Sequence, residues 1–332
     1  MSVPPSLRLE ILGQALPPLA WPLVWGLAGV LAILTLGALA AAVLPRLRPG
    51  RDYTNLQQRV NSWWVMVALL AAAVALGWQA TLALFALISF LALREFLSLA
   101  PARREDRLII LASYLVVPIS YGWIAINEYG IYLVFIPVWV FLVTPFLMAI
   151  IGQTRNYLQR AAGFHWGQVA CVYAIGFVVW LMRTPPNLPM PAGPAGLVFL
   201  LLVATEANDV AQYCWGKLFG RHKIIPKVSP NKTWEGFIGG WITTAAAIWF
   251  LGPLFTPMRG IGLATLAFAL PLAGFAGDVT MSAVKRDIGV KDTSHLIPGH
   301  GGVLDRADSL TFTAPLFFHL LLFFNMGSQP WP

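Results

Sequence analysis

Apolar positions fill the chain in runs of about 20 residues, parted by short polar stretches that carry most of the charge. As a helix, each run is long enough to cross the ~30 Å core of a bilayer. The pattern predicts spans at about 20–44, 63–78, 79–95, 109–127, 131–151, 167–183, 195–215, 235–256, 261–284 and 308–326. The fold class that follows is all-α, a polytopic transmembrane helix bundle of about ten spans. The stretch 63–95 reads as two short spans meeting near Gly77-Trp78-Gln79, or as one long tilted helix.

Charge placement decides between these and sets an orientation. With ten spans and both termini outside, all but Arg8, Arg183 and Arg259 of the 22 Lys and Arg residues fall in inside loops. That bias is the one expected of cytoplasmic loops, and merging 63–95 would break it. The charged late loops are therefore expected to face the cytoplasm; the membrane is a bacterial inner membrane or that of an organelle, and short loops without a targeting peptide favour the cell inner membrane, multi-pass.

Composition agrees. The chain is 58% hydrophobic and 11% charged, against roughly 25% charged in soluble domains. The net charge of +8 sits in loops beside the membrane, so it does not point to nucleic acid. Cys171 and Cys214 lie in apolar surroundings without zinc-site spacing. A lone Arg8, with no small-residue cleavage site after the first apolar run, gives no removable signal peptide. Residues 1–160 read as scaffold helices and 161–332 as the catalytic region.

The informative chemistry lies late. Residues 277–309 gather Lys285, Arg286, Lys291, five aspartates and two histidines into a run broken by glycine. Carboxylates suit a hard cation such as Mg²⁺. Lysine, arginine and glycine-rich backbone such as Gly301-Gly302 suit phosphate. Asp305 and Asp308 share a helix face at i, i+3 if a helix starts there, as a pair of metal ligands or as caps of the last span. Asp278 ends an apolar run as a metal ligand or a buried carboxyl. Glu206 and Asp209 lie three apart inside a span, as active-site wall or as a structural pair. Ser229-Pro230-Asn231-Lys232-Thr233-Trp234-Glu235 offers hydroxyls, a lysine and a helix start for phosphates; it also reads as a capped helix with basic flanks. His300 is a phosphate contact, a proton carrier or a turn residue.

The run Ser282, Lys285, Arg286, Lys291, Asp292, Pro298, His300, Gly301, Gly302, Asp305, Arg306, Asp308 resembles the signature of phosphatidate cytidylyltransferases. The 229–236 segment resembles that family's second motif. Asp209, Tyr213 and Gly216 match a third pattern, with Gln212 in place of its alanine. Ala307 and Met281 are further departures, the latter removing a carboxylate. The resemblance covers about residues 200–315. It implies transfer of a cytidylyl group from CTP to phosphatidate. Lys285, Arg286, Lys291, His300 and Arg306 would act on the reacting phosphates. Asp209, Tyr213, Ser229, Lys232, Thr233, Glu235, Gly301 and Gly302 would bind substrate. Asp278, Asp305 and Asp308 would hold Mg²⁺, with room for a second cation. Partners would be CTP, phosphatidate and membrane lipids, and a homodimer through the oily first half is not demanded by any residue. Other readings are a CTP-dependent lipid or polyprenol kinase, a cytidylyltransferase for another lipid acid, and a transporter of phosphate-bearing solutes. A transporter would place polar groups at mid-bilayer in matched halves; here they cluster late and near one face.

Overall fold

The structure, a computed structural model, describes residues 19–326 apart from 49, 51, 100–105, 153, 186, 187 and 189, together with the backbone of 6–7, 10–11 and 14–15. Arg8, Arg51, Arg103 and Arg104 of the charge pattern lie outside the described residues. Among the described residues, ten helices are long and apolar enough to cross a membrane: α1 (Trp21–Leu47), α2 (Thr54–Leu76), α3 (Trp78–Leu99), α4 (Arg107–Ala125), α5 (Tyr129–Ile150), α6 (Tyr157–Met182), α7 (Gly193–Phe219), α8 (Trp234–Phe255), α9 (Gly260–Ile288) and α10 (Leu304–Asn325). Before α1, Ser6–Leu7 pairs with Leu19–Ala20 and Glu10–Ile11 with Gln14–Ala15, two residues per strand.

The 63–95 stretch forms two helices. Gly77, at φ 103° and ψ −170°, separates them in a conformation open to glycine and hostile to side chains. Several helices start earlier than the apolar pattern. α2 takes in Thr54 to Ser62, α6 begins at Tyr157, and α10 opens with a turn at Leu304–Ala307. These extensions are polar, and hydropathy registers the part of a helix that meets lipid. Residue 160, where the sequence reading divides the chain, lies in the first turn of α6.

α6 is the central helix, with Phe177, Val178, Val179, Trp180 and Leu181 fully buried. α1 is peripheral and buries only Leu23 and Ala41. Lipid is as apolar as leucine, so burial alone does not hold such helices together; close packing and interhelical hydrogen bonds do. Gln168 Nε2 donates to Ser113 Oγ at 2.9 Å, Thr205 Oγ1 to Thr313 Oγ1 at 3.1 Å and Asn208 Nδ2 to the Pro271 carbonyl at 3.1 Å. Each contributes about 0.6 kcal/mol. Ser62 near the start of α2, Glu95 near the end of α3 and Val228 between α7 and α8 all bond to the end of α9 or the loop after it, and the candidate site lies where they meet.

Candidate active site

The site is built around the loop between α9 and α10. Lys285 stands one turn before α9 ends, and Gly289 caps the helix in the left-handed region. The loop then turns back on itself, with Ile297 N donating to the Gly301 carbonyl at 2.8 Å and His300 N to the Ile297 carbonyl at 2.9 Å. Asp305 fixes the turn to α9. Its Oδ1 pairs with Lys285 Nζ at 2.9 Å. Its Oδ2 accepts from Thr293 N at 2.8 Å, Thr293 Oγ1 at 3.0 Å and Gly302 N at 2.9 Å. The Asp305 side chain is 3% exposed, so those donors replace the water it has lost.

Helices from the first half of the chain brace the same loop. Ser62 Oγ on α2 donates to the Pro298 carbonyl at 2.8 Å. The Trp63 ring meets the His300 ring edge-on at 5.9 Å. Glu95 on α3 accepts from Thr293, Ser294, Val303 and Leu304. Burial, aided by the positive Arg306 and Arg59, holds the His300 pKa below the usual histidine value. The folded protein therefore binds fewer protons here than the unfolded chain as pH falls through about 6.5. Stability supported by the neutral ring is present above that pH and lost below it. His300→Asn is expected to show a shallower fall in unfolding temperature than wild type between about pH 7.5 and 5.5. Equal slopes would mean that the ring gains its proton without cost to the fold.

A second group of acids lies alongside. Asp278 Oδ2 pairs with Lys232 Nζ at 2.6 Å, and its Oδ1 accepts from Ser282 Oγ at 3.2 Å. Asp209 Oδ2 accepts from Ser309 Oγ at 3.1 Å, and Asp308 Oδ1 from Ser309 N at 2.8 Å. Asp209, Asp278 and Asp308 feel one another's charge, and Lys285 and Arg306 offset that of Asp308. Glu206 lies in the fields of Arg306 and Asp308. Asp209 Oδ1 is buried without a hydrogen-bond partner. Among the described residues, no three acidic, histidine or cysteine side chains are already grouped to hold a metal ion. The donor set nevertheless fits a hard divalent cation: carboxylate oxygens, one of them buried and unsatisfied, beside two lysines that now neutralise them. Of the Asp305 oxygens, Oδ1 has the lone-pair capacity left for such an ion, because Oδ2 already accepts three hydrogen bonds.

The remaining sequence-selected residues take varied places. Thr233 caps α8, its Oγ1 accepting from Gly236 N at 3.2 Å. Glu235 accepts from the Arg221 and His222 amides and lies 2.6 Å from His222 Nδ1, so Glu235 and His222 tie this loop to the start of α8. Ser229 closes the preceding turn, its carbonyl accepting from Lys232 N at 3.2 Å. Arg286 donates to the Val228 and Val290 carbonyls, tying the two charged loops together. Lys291 is exposed. Tyr213 is exposed too, with Lys217 Nζ 5.7 Å from its ring centre. Arg306 Nε is buried without a partner. Gly301, at φ 84°, backs onto Asp305. Sequence reasoning missed Glu95, Ser62, Trp63 and Thr293. The one available signal was Glu95, an acid at the end of an apolar run.

The profile of the cytidylyltransferase family matches residues 57–324. The chain is 40% identical over 295 residues to the Escherichia coli K12 protein called uncharacterized protein YnbB, covering 89% of this chain and 97% of that one. It is 40% identical over 171 residues to the phosphatidate cytidylyltransferase of Mycobacterium leprae, half of this chain and 51% of that enzyme. It is 46% identical over 134 residues to the enzyme of that name in Haemophilus influenzae, 38% of this chain and 46% of the relative. The chain thus aligns with about half the length of these two enzymes.

Proposed function

Because the chain belongs to the cytidylyltransferase family, we propose that it is an integral-membrane phosphatidate cytidylyltransferase. It would convert CTP and phosphatidate into CDP-diacylglycerol and pyrophosphate. The observation that carries the reading is the meeting of two lysine–aspartate pairs, Lys285–Asp305 and Lys232–Asp278, at one end of the bundle. Lys232–Asp278 joins the 229–236 motif to the signature, and Lys285–Asp305 ties the signature loop back to α9.

In this reaction a phosphate oxygen of the lipid attacks the α-phosphorus of CTP. The bond from that phosphorus to the oxygen bridging the β-phosphate breaks, and pyrophosphate leaves with the electron pair. The attacking group is already an anion, so positioning and charge neutralisation carry most of the catalysis. Lys285 and Lys232 are the cations paired with Asp305 and Asp278, and Arg306 lies beside Asp308 and Glu206. Asp278, Asp308, Asp209 and the free face of Asp305 would hold Mg²⁺. That ion would supply charge neutralisation on the nucleotide phosphates. The acyl chains would stay in the bilayer while the head group reaches the lysines. The excess of Lys and Arg in these loops supports a cytoplasmic face for this end, where CTP would be found.

The test is purified protein in detergent with radiolabelled CTP, Mg²⁺ and phosphatidate. Labelled CDP-lipid and one pyrophosphate per turnover are the expected products. Transfer of the γ-phosphate instead would make the protein a lipid kinase. No turnover with folded protein would end the reading.

A further inference from the structure

Glu95 lies one turn from the C-terminal end of α3, in the half of the chain that carries no motif. It is 7% exposed. Oε1 accepts from Ser294 Oγ at 2.7 Å and Val303 N at 3.0 Å. Oε2 accepts from Thr293 Oγ1 at 3.0 Å and Leu304 N at 2.9 Å. Among the described residues, no lysine, arginine or histidine lies within ion-pairing distance of it. A buried carboxylate without a counter-ion is costly, and it persists where other donors replace its water.

All four donors belong to the signature loop. Two stand at its entry and two at its exit, with Pro298 to Gly302 between them. One side chain thus draws both ends of the loop to a single point. Thr293 links it to the next acid, because its hydroxyl lies 3.0 Å from Glu95 Oε2 and 3.0 Å from Asp305 Oδ2. A hydroxyl has one proton to give, so the two carboxylates share it. The Thr293 amide stays on Asp305 throughout.

We infer that Glu95 is a positioning residue for nucleotidyl transfer. It sets the loop that holds Asp305, and through Asp305 the Lys285 ammonium, without touching substrate. The consequence for rate rests on the proposed function; the clasp on the loop does not.

The experiment uses the full chain in detergent. Glu95→Gln keeps the side-chain volume but turns an NH₂ group toward two of the four donors. Amide hydrogen exchange at Val303 and Leu304 is expected to rise in the unliganded variant. In the assay, kcat should fall about 30-fold, short of the ~100-fold that a 1 Å displacement costs. KM for CTP should stay within about threefold, the mark of an interaction expressed in the transition state. Thr293→Val should show the same rate loss and Thr293→Ser should restore it; this pair carries the test if Glu95→Gln does not fold. Unchanged exchange overturns the inference, and so does raised exchange with unchanged kcat. A folded wild-type protein that turns over no CTP with phosphatidate removes the proposed function, while the exchange measurement still decides whether the clasp exists.

Discussion

Asp305→Asn is expected to lower turnover on the order of a thousandfold while the protein still folds. Asparagine offers one acceptor oxygen where aspartate offers two. The loop claims that oxygen, since Thr293 N, Thr293 Oγ1 and Gly302 N all donate to the same side of the residue. The amide nitrogen is then left facing Lys285 Nζ, donor against donor. Lys285 loses its anion and with it the reason to stay against the loop. Breaking one partner of a buried pair costs up to about 3–5 kcal/mol. Here Lys285 is 12% exposed, so water recovers part of that, and the helix packing around α6 is untouched. The labelled-CTP assay read beside thermal unfolding separates the two effects. A folded variant within about tenfold of wild type would remove Asp305 from the reaction.

Gly302→Ala should be nearly as damaging, for a reason of space. A Cβ at Gly302 would run into Thr293 Oγ1 and the Glu95 carboxylate. Gly302 is absent from the positive-φ glycines, so alanine can adopt its backbone conformation and only the contact is at fault. Neither neighbour can yield freely, because each is tied to the loop by hydrogen bonds. Overpacking of this kind costs about 1–3 kcal/mol. The larger effect should be on rate, a loss of at least about 100-fold, because the displaced groups position Asp305. Unfolding temperature and kcat measured on one preparation check both. A fall in stability with normal turnover would show that the loop accommodates the methyl by shifting away from the site.

The ten spans were legible because lipid enforces long apolar runs, and the α2–α3 break because a glycine marks it. Helix starts at Thr54 and Tyr157 were not, since polar turns beyond the membrane edge leave no hydropathy trace. The signature acids and bases could be picked out one by one. Their pairing could not: Lys285 reaches Asp305 and Lys232 reaches Asp278 across loops whose course no local pattern fixes. Thr233 showed both of its readings in the sequence, and the structure places it as the cap of α8. Glu95 was hidden for a simpler reason. A glutamate next to Arg94 at the end of an apolar run looks like an ordinary charge at the membrane edge, and the donors it binds lie some 200 positions on.

That separation has a consequence for biogenesis. Glu95 and Leu304 are 209 residues apart, so at ribosomal speeds of ~5–20 residues per second the acid waits roughly 10 to 40 s for its last donor. Throughout that interval α3 has left the ribosome with a carboxylate whose partners do not yet exist. Water or a proton must serve it until the α9–α10 hairpin arrives and displaces them. Competence for chemistry thus arrives in one later step, when α9 and α10 dock onto the much earlier α3.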